Sequence, residues 1–438
     1  MTSDLYHGLT WTENIFGLEP RWTYEPEISA IERTLQSLYP SHAIQVSYLT
    51  EGTFNKIYRV KLDDEFLILR VSLPVEPIRK TQSEVATMKW IQRVTEIPTP
   101  RIIAYDATRD SEIGFEWILM TEIHGKPLAD HWRQLDIPAK SKLTRKFAEF
   151  SVSLWRNQLK GIGNLYSSAT TDGKSALAEQ TVPSETSEGL ENEGTQTGQV
   201  VSLDFFSGSH GRQNVPRGPF SCTKDWIDVC LALSRNDYQQ ILDEYAGRED
   251  LDNDTKEDIE VAEKMLKVIE GLENIFPIVF PVDTEVAEPS VIFHEDLSLY
   301  NIMVDDKGDL AGVLDWEFVS AMPLWKTCYY PKFLLGQPRH TKPDIEDYDS
   351  GNPQPRTAYW EHLDEYEATI LRDVSMEEIR RLDPGWADLF DASDLKRDYG
   401  AAVGFLNCWL GRRQIRLWVE EVASGNKNPH SLCAQLGC

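Results

Sequence analysis

The chain has 438 residues, of which 41% are hydrophobic and 10% aromatic, and it carries a formal net charge of −27. This composition excludes a disordered chain, and the length exceeds what one compact core normally contains, so we expect more than one lobe. The negative charge repels nucleic acids and anionic membranes, and we therefore expect neither as a partner.

The six cysteines are scattered along the chain, without a CxxC pair or a metal-binding spacing. Such a pattern in a long chain is typical of free thiols in a reducing compartment. The opening residues, "MTSDLYHGLTWTENIFG", lack a basic segment followed by an apolar one, and no apolar run approaches the length of a membrane-spanning helix. We therefore expect a cytoplasmic protein, and the sequence sets no oligomeric state.

In chain order, the first 123 residues predict a small α+β lobe. Residues 26–40 repeat aliphatic residues at helical spacing. The runs "AIQVSYLT", "KIYRVKLDD" and "EFLILRVS" predict three antiparallel strands, "PIRKTQSEVATMKWIQRV" a helix, and "RIIAYDA" and "FEWILMTEI" two further strands. Gly125 and Pro127 then interrupt the pattern and mark a lobe boundary.

Residues 124–438 predict a second, mostly helical lobe, with helical patterns at 141–159, 224–245 and 254–274. Within it, residues 167–200 are rich in Ser, Thr, Gly, Glu and Gln. Because such a segment buries too little apolar surface to offset its conformational entropy, we expect a mobile surface insertion there.

Polar residues stand out in the otherwise apolar stretch "FHEDLSLYNIMVDDKGDLAGVLDWE", residues 293–317. Within it, "NIMV" and "LAGVLD" predict two strands that the turn "DDKGD" joins into a hairpin. Asn301 begins the first strand and Asp315 ends its antiparallel partner, so we expect both side chains at the same end of the hairpin. The loop that carries Asp296 opens at that end as well.

Phosphoryl transfer requires this combination of groups. A carboxylate and a second oxygen ligand hold Mg²⁺ against the phosphates of a nucleotide, and another carboxylate accepts the proton of the attacking hydroxyl group. Mg²⁺ needs few protein oxygens, because phosphate and water complete its coordination. The stretch is therefore a candidate phosphotransferase site.

The motif His-x-Asp-x₄-Asn followed by a strand-ending Asp resembles the protein-kinase-like superfamily. With "LDWE" the chain is more similar to the aminoglycoside phosphotransferase and choline-kinase branch, and "GTFNKIYRV", "SEVATMKWI" and "HEDLSLYNIMVD" resemble a fungal subgroup of it. The resemblance covers about residues 40–335. It implies a bilobal protein-kinase-like α+β fold, with an N-lobe of antiparallel sheet plus helix at residues 1–123 and a mostly helical C-lobe at residues 124–438.

The resemblance also implies roles for individual residues of the stretch. Asp296 would be the catalytic base, Asn301 and Asp315 would bind Mg²⁺, and ATP would be the phosphoryl donor. His294 is expected to brace the loop through backbone hydrogen bonds. For two further acidic residues the alternatives stay open: Glu295 faces either substrate or solvent, and Glu317 either binds a substrate cation or caps the following turn.

Residues from the first lobe would bind the nucleotide. Glu84 matches the glutamate that orients a phosphate-binding basic residue, which is Arg70 here and normally Lys in the family. Arg has a planar fork where Lys has a point charge, so the difference bears on rate and nucleotide preference. Thr53 and Asn55 are candidate phosphate donors, and the backbone from Thr121 to Ile123 would receive the adenine.

The predicted function is the ATP- and Mg²⁺-dependent phosphorylation of a hydroxyl group on a small molecule, and the acidic balance favours an amine-bearing one. A nucleotide-binding pseudokinase is an alternative, because Arg70 replaces the lysine. An atypical protein kinase is a second alternative, although no Asp-Phe-Gly to Ala-Pro-Glu segment follows Asp315.

Overall fold

The structure is a computed structural model that describes residues 5–14, 17–168, 194–248, 250–281, 287–348, 355–409, 411–426 and 428–437. Its strands are β1 (Leu9–Asn14), β2 (Gly17–Trp22), β3 (Ile44–Glu51), β4 (Asn55–Leu62), β5 (Glu65–Ser72), β6 (Ile102–Asp106), β7 (Glu116–Thr121), β8 (Lys126–Pro127), β9 (Leu159–Lys160), β10 (Gly163–Ser167), β11 (Thr195–Thr197), β12 (Pro289–Phe293), β13 (Ile302–Val304), β14 (Leu310–Val313) and β15 (Ser320–Pro323). Its α-helices are α1 (Ile28–Leu38), α2 (Arg79–Val94), α3 (Leu128–His131), α4 (Ile137–Arg156), α5 (Leu203–Phe206), α6 (Thr223–Tyr245), α7 (Asn253–Val279), α8 (Leu324–Thr327), α9 (Pro355–Leu382), α10 (Pro384–Asp391), α11 (Asp394–Gly404), α12 (Arg412–Ala423) and α13 (Leu432–Leu436). Among these helices, none has the length and apolar character needed to cross a membrane.

The first large element is an antiparallel sheet with the strand order β3-β4-β5-β7-β6. The sequence predicted these strands and also helix α2, which packs against β6 and β7. Alternating residues of β4, such as Tyr58 and Val60, are buried in a core that also contains Leu69 and Trp117. The predicted sheet-plus-helix organisation of this part of the chain is therefore confirmed.

A hairpin that the sequence did not predict precedes this sheet. Strands β1 and β2 pair antiparallel, with Leu9 opposite Trp22. The Trp22 ring meets Phe115 edge to face, with ring centroids 4.9 Å apart. The hairpin therefore gains its stability from aromatic packing on the sheet. No local pattern in the sequence predicts this packing.

The rest of the chain combines two smaller antiparallel sheets, ordered β11-β10-β15-β12-β9 and β14-β13-β8, with long helices. Helix α4 begins after Asp136, whose carboxylate accepts a hydrogen bond from the Ala139 amide at 2.9 Å. Helix α7 begins in the same way after Asp252, which accepts from the Thr255 amide at 2.8 Å. The α+β class with a mostly helical second part is as predicted.

Strand β8 carries the chain from the first sheet to the second part. It pairs with β13, and Gly125 just before it has a φ of +148°. A Cβ atom on Gly125 would lie 2.4 Å from the carbonyl oxygen of Val304, so only glycine permits this approach. The predicted lobe boundary after residue 123 falls just before this crossing, and we keep it as a proposal.

The predicted insertion at residues 167–200 falls largely outside the described residues, since residues 169–193 are not among them. Its two ends are described and meet: the Ser168 amide donates to the Gly194 carbonyl at 2.7 Å. Beyond this contact, β11 pairs antiparallel with β10. The last residues of the predicted insertion therefore belong to a sheet.

Replacing residues 169–193 by a two-residue Asn-Gly turn should leave the melting temperature unchanged or slightly raised. The two ends already meet at hydrogen-bond distance, and a shorter loop reduces the closure entropy by about 1–2 kcal/mol. Thermal unfolding followed by circular dichroism measures the effect. A matched variant that also lacks Thr195–Thr197 should melt lower, because it removes β11; a large loss in the first variant would contradict the insertion hypothesis.

Candidate functional site

The polar stretch after β12 folds back on itself at one end of the β13–β14 hairpin. The two strands pair antiparallel, and the Leu314 amide donates to the Asn301 carbonyl at 2.8 Å. Strand β15 then returns antiparallel to β12. Asn301 and Asp315 therefore lie at the same end of the hairpin as expected, although each lies just outside its strand.

His294 braces this end of the hairpin. Its Nε2 atom bonds the Leu314 carbonyl at 3.0 Å, and a carbonyl partner requires the proton on that nitrogen. Burial lowers the pKa of the His294 imidazole, so the ring is neutral. The ring also meets Trp316 edge to face, with centroids 5.1 Å apart. These contacts fit the bracing role expected for His294.

The predicted base, Asp296, has both carboxylate oxygens engaged. Asn301 Nδ2 donates to Asp296 Oδ2 at 3.0 Å and to its backbone carbonyl at 2.8 Å. Lys332 Nζ donates to Asp296 Oδ1 at 2.8 Å. The Asp296 side chain is 51% exposed, so a hydroxyl group has access to the remaining lone pairs. No local pattern points to Lys332, which lies 36 residues further along the chain.

A buried cluster of charged residues connects the first sheet to the hairpin; we call it the ion-pair junction, and it consists of Arg70, Lys80, Glu84, Asp315 and Glu317. Arg70 of β5 donates from Nη1 to Glu84 Oε1 and from Nη2 to Asp315 Oδ1, both at 2.8 Å. Arg70 Nη2 also lies 2.8 Å from Glu317 Oε2. The predicted Arg70–Glu84 pair is therefore present, and it bonds directly to a predicted metal ligand.

Lys80 is the member of the junction that sequence analysis missed. Its side chain is 1% exposed, and Nζ lies 2.7 Å from Glu317 Oε2. Nζ also donates to Asn55 Oδ1 at 2.9 Å and to Ser72 Oγ at 3.1 Å. Lys80 precedes Glu84 by one helical turn on α2, so both lie on one face. This spacing was the signal available in the sequence.

The junction contains two cations and three carboxylates, which leaves one negative charge uncompensated. Burial opposes ionisation of Glu317, but Arg70 and Lys80 lower its pKa to about 2. Burial raises the pKa of Glu84, and burial together with Glu317 raises that of Asp315. Asp315 is the most exposed of the three carboxylates, at 34%, so the excess charge lies where a cation has access to it.

The oxygens at this end fit a Mg²⁺ ion. Arg70 occupies Asp315 Oδ1, so Oδ2 is the oxygen that remains open. Asn301 donates to Asp296 through its amide nitrogen, so its amide oxygen is not used in these bonds and would suit a metal ligand. The described part of the chain holds no group of three or more His, Cys, Asp or Glu side chains suited to a metal. Mg²⁺ bound mainly through phosphate and water does not need one.

The turn after β14 is strained. Asp315 and Phe318 have φ values of +65° and +60°, a region that residues other than glycine seldom adopt. The Phe318 ring packs between Phe54 and Phe206, with each ring centroid 5.1 Å away. This aromatic packing holds the turn, and the turn in conjunction with Arg70 sets the direction of the Asp315 carboxylate.

The loop between β3 and β4 matches the predicted phosphate contacts only in part. Thr53 is exposed, and nothing lies within 4 Å of the position of a Cβ atom on Gly52. Asn55 is buried instead, and its Nδ2 donates to the two oxygens of Glu317 at 3.0 and 2.9 Å. Since both bonds donated by Nδ2 go to Glu317, the Asn55 side chain has no donor left for a phosphate, and its Oδ1 accepts from Lys80. In this arrangement Asn55 positions Glu317 and does not face a nucleotide.

The segment from Thr121 to Ile123 lies beside the hairpin. The Thr121 amide donates to the Arg101 carbonyl at 2.9 Å, and Thr121 Oγ1 accepts from the Arg101 amide at 2.8 Å. The Ile123 side chain packs on Gly312 of β14, where a Cβ atom would lie 3.0 Å from it. The segment therefore adjoins the strand that leads to Asp315, and its predicted contact with adenine stays a prediction.

Comparison with protein families matches residues 45–197 and 222–326 to the phosphotransferase enzyme family. The matched ranges make up more than half of the chain and include the ion-pair junction, Asp296 and Asn301. The resemblance inferred from the sequence motifs is therefore confirmed.

Curated relatives are fungal proteins. The subtelomeric hrmA-associated cluster protein of Aspergillus fumigatus is 29% identical over 178 residues, which are 40% of this chain and 32% of the relative. The altered inheritance of mitochondria protein 9, mitochondrial, of Saccharomyces cerevisiae is 24% identical over 374 residues, with 76% of this chain and 57% of the relative covered. This chain therefore spans about a third to somewhat more than half of the length of these relatives.

The relatives correct the predicted location. The Saccharomyces cerevisiae relative and its counterpart from Clavispora lusitaniae are both named as mitochondrial proteins. The prediction of a cytoplasmic protein is therefore wrong. Its physical basis was too weak, because scattered free cysteines fit any compartment that keeps thiols reduced.

Two solved structures of aminoglycoside phosphotransferases align along most of the chain. APH(4)-Ia is 12% identical with a TM-score of 0.43, and the alignment covers 91% of this chain and 98% of that one. A thermostable mutant in ternary complex with ADP and hygromycin B is 13% identical with a TM-score of 0.41, covering 91% and 97%. Both scores are low, so the fold of this chain rests on the family match and on its own sheets and helices.

Lys80→Met should lower the free energy of unfolding by about 3–5 kcal/mol, because the change leaves Glu317 buried with one of its two cations missing. Urea denaturation measures this loss. Lys264→Met is the matched control, since Lys264 forms an exposed ion pair with Glu260 on α7 and should contribute less than about 0.5 kcal/mol. A loss no larger than that of the control would contradict the buried pair.

Proposed function

The chain belongs to the phosphotransferase enzyme family, and we propose that it transfers the γ-phosphoryl group of ATP to a hydroxyl group of a small molecule. One observation carries this proposal: Asp296, Asn301 and Asp315 lie at one end of a hairpin, and Arg70 from the first sheet bonds Asp315 there. Each of these residues is of a type that phosphoryl transfer uses in its proposed role.

Asp296 is the proposed base. Asn301 holds its carboxylate in place, and the side chain is half exposed, so it is placed to orient an acceptor hydroxyl group. Asp296 takes the proton of that hydroxyl as the acceptor oxygen bonds to phosphorus. The bond from the γ-phosphorus to the bridging oxygen breaks, and ADP leaves with that electron pair.

Asp315 and Asn301 are the proposed ligands of Mg²⁺. These residues would hold Mg²⁺ beside the nucleotide, where its positive charge would offset the charge that develops on the leaving group. Asp315 would contribute Oδ2, since Oδ1 is bonded to Arg70, and Asn301 would contribute its amide oxygen. The junction keeps Asp315 in position for this role.

Arg70 is proposed to bind the nucleotide phosphates. Its Nε atom is buried and has no hydrogen-bond partner among the described residues, so one donor of the guanidinium is unused. Burial disfavours the charge of Arg70, but Glu317 and Glu84 with Asp315 raise its pKa, so it stays positive. Glu84 orients it through the bond to Nη1.

The charge around the proposed acceptor position is close to balanced. Lys326 donates to Glu295 at 2.9 Å, and Lys332 donates to Asp296 at 2.8 Å. Glu317 is buried in the junction at 7% exposure, so a substrate cation has no access to it. Glu295 and Asp296 are therefore each paired with a lysine, so the negative net charge of the chain does not appear as an unpaired carboxylate at the acceptor position. We propose a hydroxyl acceptor without requiring an amine on it.

A screen for ADP release tests the proposed function. Purified protein with Mg²⁺ and ATP is incubated with hydroxylated amines, sugars and nucleosides, and a substrate gives acceptor-dependent ADP. Generic protein substrates belong in the same screen, because labelled phosphate on them would indicate the protein-kinase alternative. Nucleotide binding without turnover on any acceptor would favour the pseudokinase alternative.

Asp296→Asn should reduce the transfer rate by about 10²–10⁴-fold while nucleotide binding is kept, because the amide fills the same space but does not accept a proton. Asp315→Ala should instead remove the thermal stabilisation by Mg²⁺–ATP, since a metal ligand is lost. Turnover assays and thermal-shift assays on both variants separate the two roles. Full activity of Asp296→Asn would rule out the base, and unchanged stabilisation of Asp315→Ala would rule out the ligand.

Arg70→Lys should raise the KM for ATP and lower kcat although the charge is kept, because Lys cannot bond Glu84 and Asp315 at once through a planar fork. Glu84→Gln should cause a milder loss, since it orients Arg70 without touching phosphate. The double variant should be non-additive, because both changes act through one contact. An Arg70→Ala variant with the parental KM would place the phosphate contact elsewhere.

A further inference from the structure

A separate segment holds Lys332 against Asp296. Lys332 opens the short 3₁₀ turn Lys332–Leu334, and its Nζ atom lies 2.8 Å from Asp296 Oδ1. The Phe333 amide donates to the Leu297 carbonyl at 3.2 Å, which ties this turn to the loop of Asp296 itself. Leu334 is fully buried. The backbone at Lys332 is therefore anchored, while its side chain is 55% exposed.

The proposed transfer creates an electrostatic problem at this point. The Asp296 carboxylate faces a phosphoryl group that is also negatively charged, and like charges at this range repel. Lys80 is buried against Glu317 in the ion-pair junction, and Arg70 bonds Glu84 and Asp315 there. Lys332 is the cation that the described residues place on Asp296.

We propose that Lys332 binds the transferring phosphoryl group and offsets its charge in the transition state. At attack, the acceptor oxygen lies within about 3 Å of both Asp296 and the phosphorus. A small rotation of its side chain would therefore bring a cation that is bonded to Asp296 within hydrogen-bond distance of the phosphoryl oxygens. The Lys332 ammonium group has three donors, and one of them bonds Asp296. Lys332 would contribute hydrogen bonds and positive charge. It would not take up the proton of the acceptor hydroxyl, because that proton goes to Asp296.

This inference rests on the proposed function. The result it predicts differs from the result expected if Lys332 and Asp296 formed only a surface ion pair. An exposed Lys–Asp pair contributes little to stability and does not respond to the γ-phosphate of a nucleotide. A lysine that binds the transferring group distinguishes a nucleotide with a γ-phosphate from one without it. Nucleotide affinity therefore tests the role without any knowledge of the acceptor.

The experiment measures the affinities of Mg²⁺–AMP-PNP and Mg²⁺–ADP by calorimetry for the parent protein and Lys332→Met. We expect the variant to lose about tenfold or more in affinity for AMP-PNP and nothing for ADP, because a charge-assisted hydrogen bond to the γ-phosphate is lost. Lys332→Arg should keep most of the preference for AMP-PNP, since the charge is retained. An equal change for both nucleotides, or none for either, would overturn the assignment.

The controls separate this inference from the proposed function. Lys264→Met removes an exposed lysine on α7 and should change neither affinity. If the parent protein binds neither nucleotide, the proposed function fails and the role of Lys332 fails with it. If the parent binds both and Lys332→Met does not discriminate between them, only the role of Lys332 is wrong.

Discussion

Two buried cations, Arg70 and Lys80, tie the first sheet to the end of the β13–β14 hairpin. They come from β5 and α2, and the carboxylates they bind on the hairpin side are Asp315 and Glu317. Removing one partner of a buried ion pair costs several kcal/mol, so these elements are held together by more than apolar contact. The direction of Asp315 and the burial of Asn55 both follow from this constraint.

The carboxylates of the ion-pair junction differ in their access to solvent. Glu317 is enclosed and paired with two cations, whereas Asp315 is shared with Arg70 and remains partly open. A cluster with one carboxylate in excess favours a cation at its exposed member, which is the chemical requirement for holding Mg²⁺ against phosphates. Sequence spacing alone does not make this distinction, because both acids lie within the same turn.

The residues that match the family do not include every residue that contacts the candidate site. The matched ranges end at residue 326, but Lys332 lies beyond that point and bonds the proposed base. The segment after β15 is fixed to the loop of Asp296 by the Phe333–Leu297 backbone hydrogen bond. A part of the chain outside the family match therefore contacts the candidate site that lies within it.

The sequence by itself determined the strands of the first sheet, helix α2 and the placement of Asn301 and Asp315 at one end of the hairpin, because alternation, helical period and a short turn act over a few residues. It did not determine the places of Lys80, Lys332 and Asn55. The Asn55–Glu317 bond spans 262 residues and the Lys332–Asp296 bond spans 36. Only the tertiary structure decided which partner each of these side chains has, because the partners are distant in sequence and are brought together by the packing of the chain.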